Sequence, residues 1–377
     1  MTTTHVVIYY SLFTLFAVPT FAVFEDTSPG ARAAALGGAY TALGNDTWSL
    51  LYNPAGLARL LQPEIVTEYS QLFTGLSDRS NIYQYFAGVS VPLKSYGTAA
   101  LGWKQLGFSG LYAEQTVSLG YGQWIMSHLA GGVAVKYLRH SFAVPSTFVD
   151  DNGNIQAGTP SLFSQNGSAR SNMSVDLGLL YRISDRQHFG VSVQDMNEPN
   201  MALDAGDTDR VARTWHMGWA GESARKLSLT ADLSAHQCSS CGTQDYTTTG
   251  GIEKWWGSAP FSEFAARGAL TIGNREFQQA STGFGYRWKY LGLDYAFVFN
   301  LTGIAIGTTS GTHRLSLSYR FGTNNKELLH MVKSRYPEED EFPISVLKGP
   351  EDTSNGLAME LILPDQQGKI GNEGKDR

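Results

Sequence analysis

From about residue 63 to residue 321 the chain alternates apolar and polar positions with a period of two. "HRLSLSYRF" (313–321) puts Leu315, Leu317, Tyr319 and Phe321 on one face and Arg314, Ser316, Ser318 and Arg320 on the other. "KLSLTADLSAH" (226–236) sets Leu227, Leu229, Ala231 and Leu233 against Ser228, Thr230, Asp232 and Ser234, and "SVDLGLLYRI" sets Val175, Leu177, Leu179 and Tyr181 against Asp176 and Arg182. "LGLDYAFVF" repeats the scheme, with Asp294 on the polar side. Successive strand side chains point to opposite faces, so this period predicts strands with one apolar side.

Such segments occur near 63–73, 82–93, 98–109, 113–124, 128–142, 171–183 and 187–197. They continue near 211–222, 226–236, 246–256, 264–273, 278–288, 290–300 and 312–321. Each is about ten residues long, the length a tilted strand needs to cross a bilayer. A secreted sandwich would also alternate, but the connections decide. Short ones ("KSYG", "MS", "SDR", the "SARK" region, Lys289) interleave with long ones ("TGLSDRSN", 143–170, "EPNMALDAGDTDR", "QCSSCGTQD", "LTGIAIGTTSG"). Short turns on one side and long loops on the other are the habit of outer-membrane barrels, the short turns being periplasmic. "GSAPFSE" (257–263) is long for a periplasmic turn and "GLY" (110–112) short for an outer loop. The fold class expected is all-β: a transmembrane antiparallel barrel of about fourteen strands spanning 63–321.

The ends read differently. Residues 6–24 form one apolar run, with Thr20-Phe21-Ala22 as a small-x-small site, which predicts a signal peptide over 1–22. An uncleaved anchor is the rival, since the n-region holds only His5. The strand ending at Phe321 closes the barrel and leaves 322–377 as a periplasmic tail, largely flexible. One short helix is expected there, with Leu328, Leu329, Val332 and Tyr336 on one stripe before Pro337. "LAMELIL" (357–363) could add a strand against a periplasmic partner.

Between signal and barrel lies "NDTWSLLYNPAGLARL" (45–60). Proline disfavours a helical Asn53, yet Pro54 suits the first turn of a new helix. The stretch therefore predicts a short helix, a break and a second short helix. A wide barrel needs filling, and residues 23–62, with flexible Gly37-Gly38, supply a plug; a small lid outside the barrel is the alternative.

Composition agrees with the barrel. Only 16% of the 377 residues are charged against 12% aromatics and 41 glycines, whereas soluble domains carry roughly 25% charged residues. Mean hydropathy is −0.19, too low for a helical membrane protein. The net charge of −6 argues against nucleic acid as a partner.

"GARAAALGGAYTAL" followed by "YNPAGLA" and a barrel of this size resembles the PorV/PorQ family of outer-membrane proteins. More distantly the chain is similar to FadL-type transporters of hydrophobic compounds, whose N-terminal hatch carries an Asn-Pro-Ala motif. The resemblance covers residues 30–321, with "DLGLLYR" and "SVQDMNEPN" in support. It implies a hatch motif at Gly37, Gly38, Asn53, Pro54, Ala55 and Gly56.

Candidate chemistry is sparse. No Ser-His-Asp arrangement can be read from the spacing of the histidines, "GTTSG" (307–311) is not a nucleophile elbow, and "GGAYTALG" is not a dinucleotide fingerprint. No enzyme activity, cofactor or metal is expected. "HQCSSCG" (236–242) has the wrong order for haem attachment and too few thiols for zinc, so a Cys238–Cys241 disulfide is the simple reading. "DDNGN" (150–154) lacks the glycine of a calcium loop.

The lumen side should carry charges of both signs: Glu68, Lys104, Lys136, Asp176, Arg182, Asp232, Arg267, Arg287, Asp294, Arg314 and Arg320. These suit either a network holding a plug or ordinary pairing between strands. Outer loops hold apolar residues, Phe142, Phe148, Phe163, Ile304 and Ile306, which could capture a greasy ligand or a partner, or simply extend strands.

The function expected is that of a plugged, non-enzymatic barrel in the outer membrane of a diderm bacterium. Following the PorV/PorQ resemblance, its loops dock secreted proteins, with a link to type IX secretion implied. The alternative is a FadL-like transporter of hydrophobic small molecules. Partners expected are outer-membrane lipids, a hydrophobic small molecule or secreted protein, and a periplasmic partner through the tail.

Overall fold

The computed structural model describes residues 27–76, 79–144, 146–149, 155–204, 206–223, 225–237, 244–258, 262–274, 277–302 and 309–322. The signal segment, the Cys238–Cys241 pair, Ile304, Ile306 and the tail after Gly322 lie outside the described residues.

Fourteen strands close an antiparallel barrel. In chain order the first are β1 (Glu64–Leu72), β2 (Ile82–Pro92), β3 (Thr98–Phe108), β4 (Tyr112–Met126) and β5 (Leu129–Phe142). A two-stranded ribbon of β6 (Thr147–Val149) and β7 (Ile155–Ala157) sits in the next connection, outside the barrel sheet. The wall continues with β8 (Ala169–Ser184), β9 (Gln187–Gln194), β10 (Thr214–Ser223), β11 (Leu227–Gln237) and β12 (Gln244–Ser258). It ends with β13 (Ser262–Gly273), β14 (Gln278–Trp288), β15 (Leu291–Asn300) and β16 (Thr312–Arg320), and β16 pairs back to β1 through registers such as Ile65↔Tyr319 and Glu68↔Ser316. Closure leaves no strand edge unpaired in the bilayer.

The two faces are those the alternation predicts. Leu315, Leu317 and Tyr319 are exposed outward on β16 while Arg314 and Ser316 are buried inside. On β8, Leu177, Leu179 and Tyr181 face out and Asp176 faces in. The outward set meets acyl chains. Trp256, Phe264 and Trp288 mark the short-turn rim, and Trp215 and Tyr246 stand near the long-loop rim, where amphipathic rings favour the interface. No helix among the described residues is long and apolar enough to cross a membrane; the strands do that.

Strand limits match the alternation closely except around the β9–β10 connection. There the pattern predicts strands to 197 and from 211, but β9 ends at Gln194 and β10 starts at Thr214. Asp195 and Glu198 take φ of 53° and 46°, a left-handed geometry that breaks the extended run. The connection then turns inward, and Met201 and Val211 bury against Leu138 of β5.

Residues 29–60 fill the end of the lumen from which β1 starts. Ala31–Ala35 and Ser49–Tyr52 are short helices, and Pro54–Arg59 is a 3-10 turn. Asn53 between them is extended (φ −151°, ψ 103°), as a residue before proline should be, and Pro54 takes the first turn. Leu36, Tyr40, Trp48, Tyr52, Ala55 and Leu57 are buried. The segment is thus a plug inside the barrel, and not a lid beyond it.

Candidate functional site

The plug is seated on a belt of glycines. Gly88 and Gly102 face one another across β2 and β3, Gly122, Gly132 and Gly178 line up across β4, β5 and β8, and Gly190 pairs with Gly218 across β9 and β10. Each faces the lumen at plug height. A Cβ at Gly122 or Gly132 would overlap the Pro54 backbone, and one at Gly178 would overlap Asn53 Oδ1. At Gly190 it would strike Thr41, and at Gly283 the Ala35 methyl. Strand glycines normally weaken a sheet; here they let another backbone approach the wall.

Asn53 is the pin of this seat. Its Nδ2 donates to the Thr41 carbonyl (2.9 Å) inside the plug and to the Leu179 carbonyl (3.0 Å) on β8. Its Oδ1 accepts from Ala55 N (3.1 Å), capping the turn that follows. Asn53, Pro54, Ala55 and Gly56 are therefore one buried element against β4, β5 and β8. Gly37 and Gly38, with φ of 65° and 85°, form a bend on the far side of the plug, Gly37 lying against Thr249 and Thr271.

Charges hold the other side. Arg32 forms a bidentate pair with Glu253 of β12 (2.9 and 2.7 Å). Its Nη1 also donates to Tyr40 Oη (2.9 Å), Asn45 Oδ1 (2.9 Å) and Asp46 Oδ2 (3.2 Å). Arg267 bridges Glu253 (2.7 Å) to Asp294 (2.7 Å), so the network runs from plug to wall across three strands. Glu64 accepts from Thr47 N and from Arg320 Nε. Glu68 takes Gly30 N and Arg314 Nη1, and Asp232 takes Thr41 N. The mixed-sign lining thus does both jobs expected of it: Arg314–Glu68 joins strand to strand, and the same carboxylate fastens the plug.

Above the plug, the end of the lumen with long loops has an aromatic mouth. Tyr112 and Phe142 are cross-strand partners with ring centroids 4.9 Å apart. His140 meets Phe142 at 5.2 Å, and Phe163, on the short helix Ser161–Asn166 of the next connection, reaches Phe142 at 6.0 Å. Below them lie Leu138, Met201 and Val211. The inward-turned connection is held by Lys136, which bridges Asp176 (2.8 Å) and Asp195 (2.7 Å). Asn200 Oδ1 accepts from Ala202 N and Asp209 N within the same connection, and burial holds the Asp209 carboxyl above its ordinary range.

Of the residues singled out from the sequence, Phe142 and Phe163 come together at this mouth. Phe148 lies in the β6–β7 ribbon. Sequence reasoning missed Arg32, Asp46, Glu64 and Glu253. Glu253 sits at an inward position between Gly251 and Trp255 on β12, which is a signal, but its partner Arg32 is 221 residues away.

A family model described as the F plasmid transfer operon TraF protein matches residues 82–233, less than half of the chain. No curated protein matches it. Solved structures do. The chain is similar to the Pseudomonas putida toluene transporter TodX (TM-score 0.57, 12% identity) over 79% of this chain and 99% of that one. It is similar to the Ralstonia pickettii toluene transporter TbuX (TM-score 0.55, 13% identity) over 79% of this chain and 100% of that one. A Pseudomonas aeruginosa FadL homologue matches with TM-score 0.51 and 14% identity, over 80% of this chain and 99% of that one. At these identities the likeness is one of fold, and it is a likeness to whole outer-membrane barrels.

Proposed function

We propose that the protein passes a hydrophobic small molecule across the outer membrane, the plug being the closed gate of the route. The observation that carries this reading is the aromatic mouth of Tyr112, His140, Phe142 and Phe163, set over the buried Leu138–Met201–Val211 cluster. Apolar and aromatic side chains with a few polar groups among them are what line sites for such a ligand. The fold likeness to transporters of toluene supports the same substrate class. The docking of secreted proteins that the PorV/PorQ resemblance implies draws less support, because the β9–β10 connection folds into the lumen and does not extend a platform outward. In this account Asn53-Pro54 and the Arg32–Glu253 pair keep the gate shut.

The test is uptake of radiolabelled toluene by cells expressing the protein in an outer membrane lacking related transporters. Phe142→Ser with Phe163→Ser lowers uptake severalfold while arabinose entry stays constant. Uptake unchanged in a barrel that still migrates heat-modifiably on a gel sinks the proposal.

A further inference from the structure

One feature of the outer wall plays no part in the plug or the mouth. On the lipid-facing side of β11, β12 and β13 lies a furrow of about 640 Å³, floored by Gly250 and Gly268 and walled by Leu229, Ile252, Leu270 and Ile272. Gly250 lies between Ala231 and Leu270 in register, and Gly268 beside Ile252. Neither glycine is required by the fold. Both lack a positive φ. A Cβ on Gly250 would meet nothing within 4 Å, and one on Gly268 nothing nearer than 3.8 Å. This contrasts with the inner belt, where a Cβ would collide with the plug. The outward glycines Gly107, Gly131 and Gly221 lie under the side chains of Tyr83, Ile125 and Trp219, whereas Gly250 and Gly268 lie under none, and glycine forfeits both β-propensity and contact with lipid. The wall has been left bare where a side chain would fit.

A cationic rim lies beyond the furrow on the short-turn side. Lys254 follows Ile252 on the same outward face of β12 and pairs with Ala266, a small residue that does not close the way. Its Nζ donates to the Arg225 carbonyl in the short turn before β11, which anchors the ammonium at the membrane boundary. Arg225 itself is exposed beside it, and Trp256 continues the face into the aromatic rim. The furrow lies on the outward face of the barrel, and beyond its lining on that face Lys254 and Arg225 place two positive charges at the short-turn rim. We infer that the furrow is a binding site for one anionic glycerophospholipid of the surrounding leaflet, with an acyl tail over Gly250 and Gly268 and the phosphate at Lys254 and Arg225. A neutral hydrocarbon would use the furrow without the charges. The inference depends only on the barrel standing in a membrane, so it survives or fails independently of the transport reading.

The experiment is native mass spectrometry of the full-length protein, delipidated in detergent and then offered an equimolar mixture of POPG and POPC. The wild-type protein retains one POPG molecule in clear excess over POPC. Gly250→Leu with Gly268→Leu removes that retained lipid, while Ala99→Leu, an outward change on the distant β3, does not. Lys254→Gln keeps a bound lipid but lowers the POPG-over-POPC ratio about fivefold, the worth of one basic residue at an anionic membrane surface. Gly250→Ala with Gly268→Ala, which adds only methyl groups where space is open, gives a partial loss and guards against a leucine pair that disturbs folding. Equal POPG retention by the filled and wild-type barrels would mean annular lipid only and overturns the site. A POPG preference untouched by Lys254→Gln with Arg225→Gln overturns the headgroup assignment.

Discussion

Replacing Arg32 by Met tests whether the ion network is what keeps the plug docked. The guanidinium makes two hydrogen bonds to Glu253 and further ones to Tyr40, Asn45 and Asp46, and it is almost fully buried. Met fills much of the volume and removes the charge. Glu253 keeps Arg267 as a partner, but Asp46 loses its ion pair and keeps only the Tyr40 hydroxyl. Breaking a buried pair by deleting one partner costs about 3–5 kcal/mol, because the remaining charge is left uncompensated. That energy falls on plug docking and not on the barrel, whose strand registers do not involve residue 32. Each 1.4 kcal/mol is a factor of ten, so local opening of the plug becomes about a hundred- to a few-thousand-fold more frequent. Amide exchange of residues 31–36, followed by mass spectrometry in detergent, reads this opening directly. Adding Asp46→Asn to Arg32→Met should recover part of the loss, since the carboxylate left without its ion pair becomes a neutral amide that still accepts from the Tyr40 hydroxyl. Wild-type exchange rates in the Arg32→Met protein, with an intact heat-modifiable barrel, would refute the network as the fastening.

Two further changes probe the seat and the mouth. Gly132→Val places a branched side chain against the Pro54 backbone; overpacking of this kind costs about 1–3 kcal/mol, and it should speed exchange at residues 53–58 while the β4–β5 amides stay protected. Equal protection at 53–58 would show that the plug has slack there. Lys136→Met strands Asp176 and Asp195 and should release the inward-turned connection, raising tryptic cleavage after the exposed Arg210 several-fold. An unchanged cleavage rate would mean that the Met201–Val211 anchor suffices alone.

The barrel was legible because a period of two is a local property. Leu315, Leu317 and Tyr319 declare their face without reference to any other strand, and loop lengths then order the rims. The plug was legible because Asn53-Pro54 sets its own backbone geometry whatever surrounds it. What could not be read were pairings that exist only after closure. Glu253 looks like any inward carboxylate until β12 is placed opposite Arg32. The glycines of Gly122, Gly132 and Gly178 fall on three strands and become a surface only when the registers align them. The inward turn after β9 was hidden for a similar reason: "SVQDMNEPN" alternates well enough to pass for strand, and the left-handed Asp195 is stabilised by Lys136 and Ser174 from neighbouring strands.

The plug also dictates an order of assembly. Its residues leave the ribosome before any strand, yet every surface they rest on is made later. Ala31 N bonds to Ser316 Oγ, 285 residues downstream, and Glu64, the first strand residue, is neutralised by Arg320 of the last. Contacts of such separation form slowly, because loop closure must precede them. The earliest segment made is therefore the last to settle. Until β16 meets β1, an Ala- and Leu-rich stretch with a buried-type arginine has no home, which makes residues 30–60 the part of the chain most in need of a chaperone during transit.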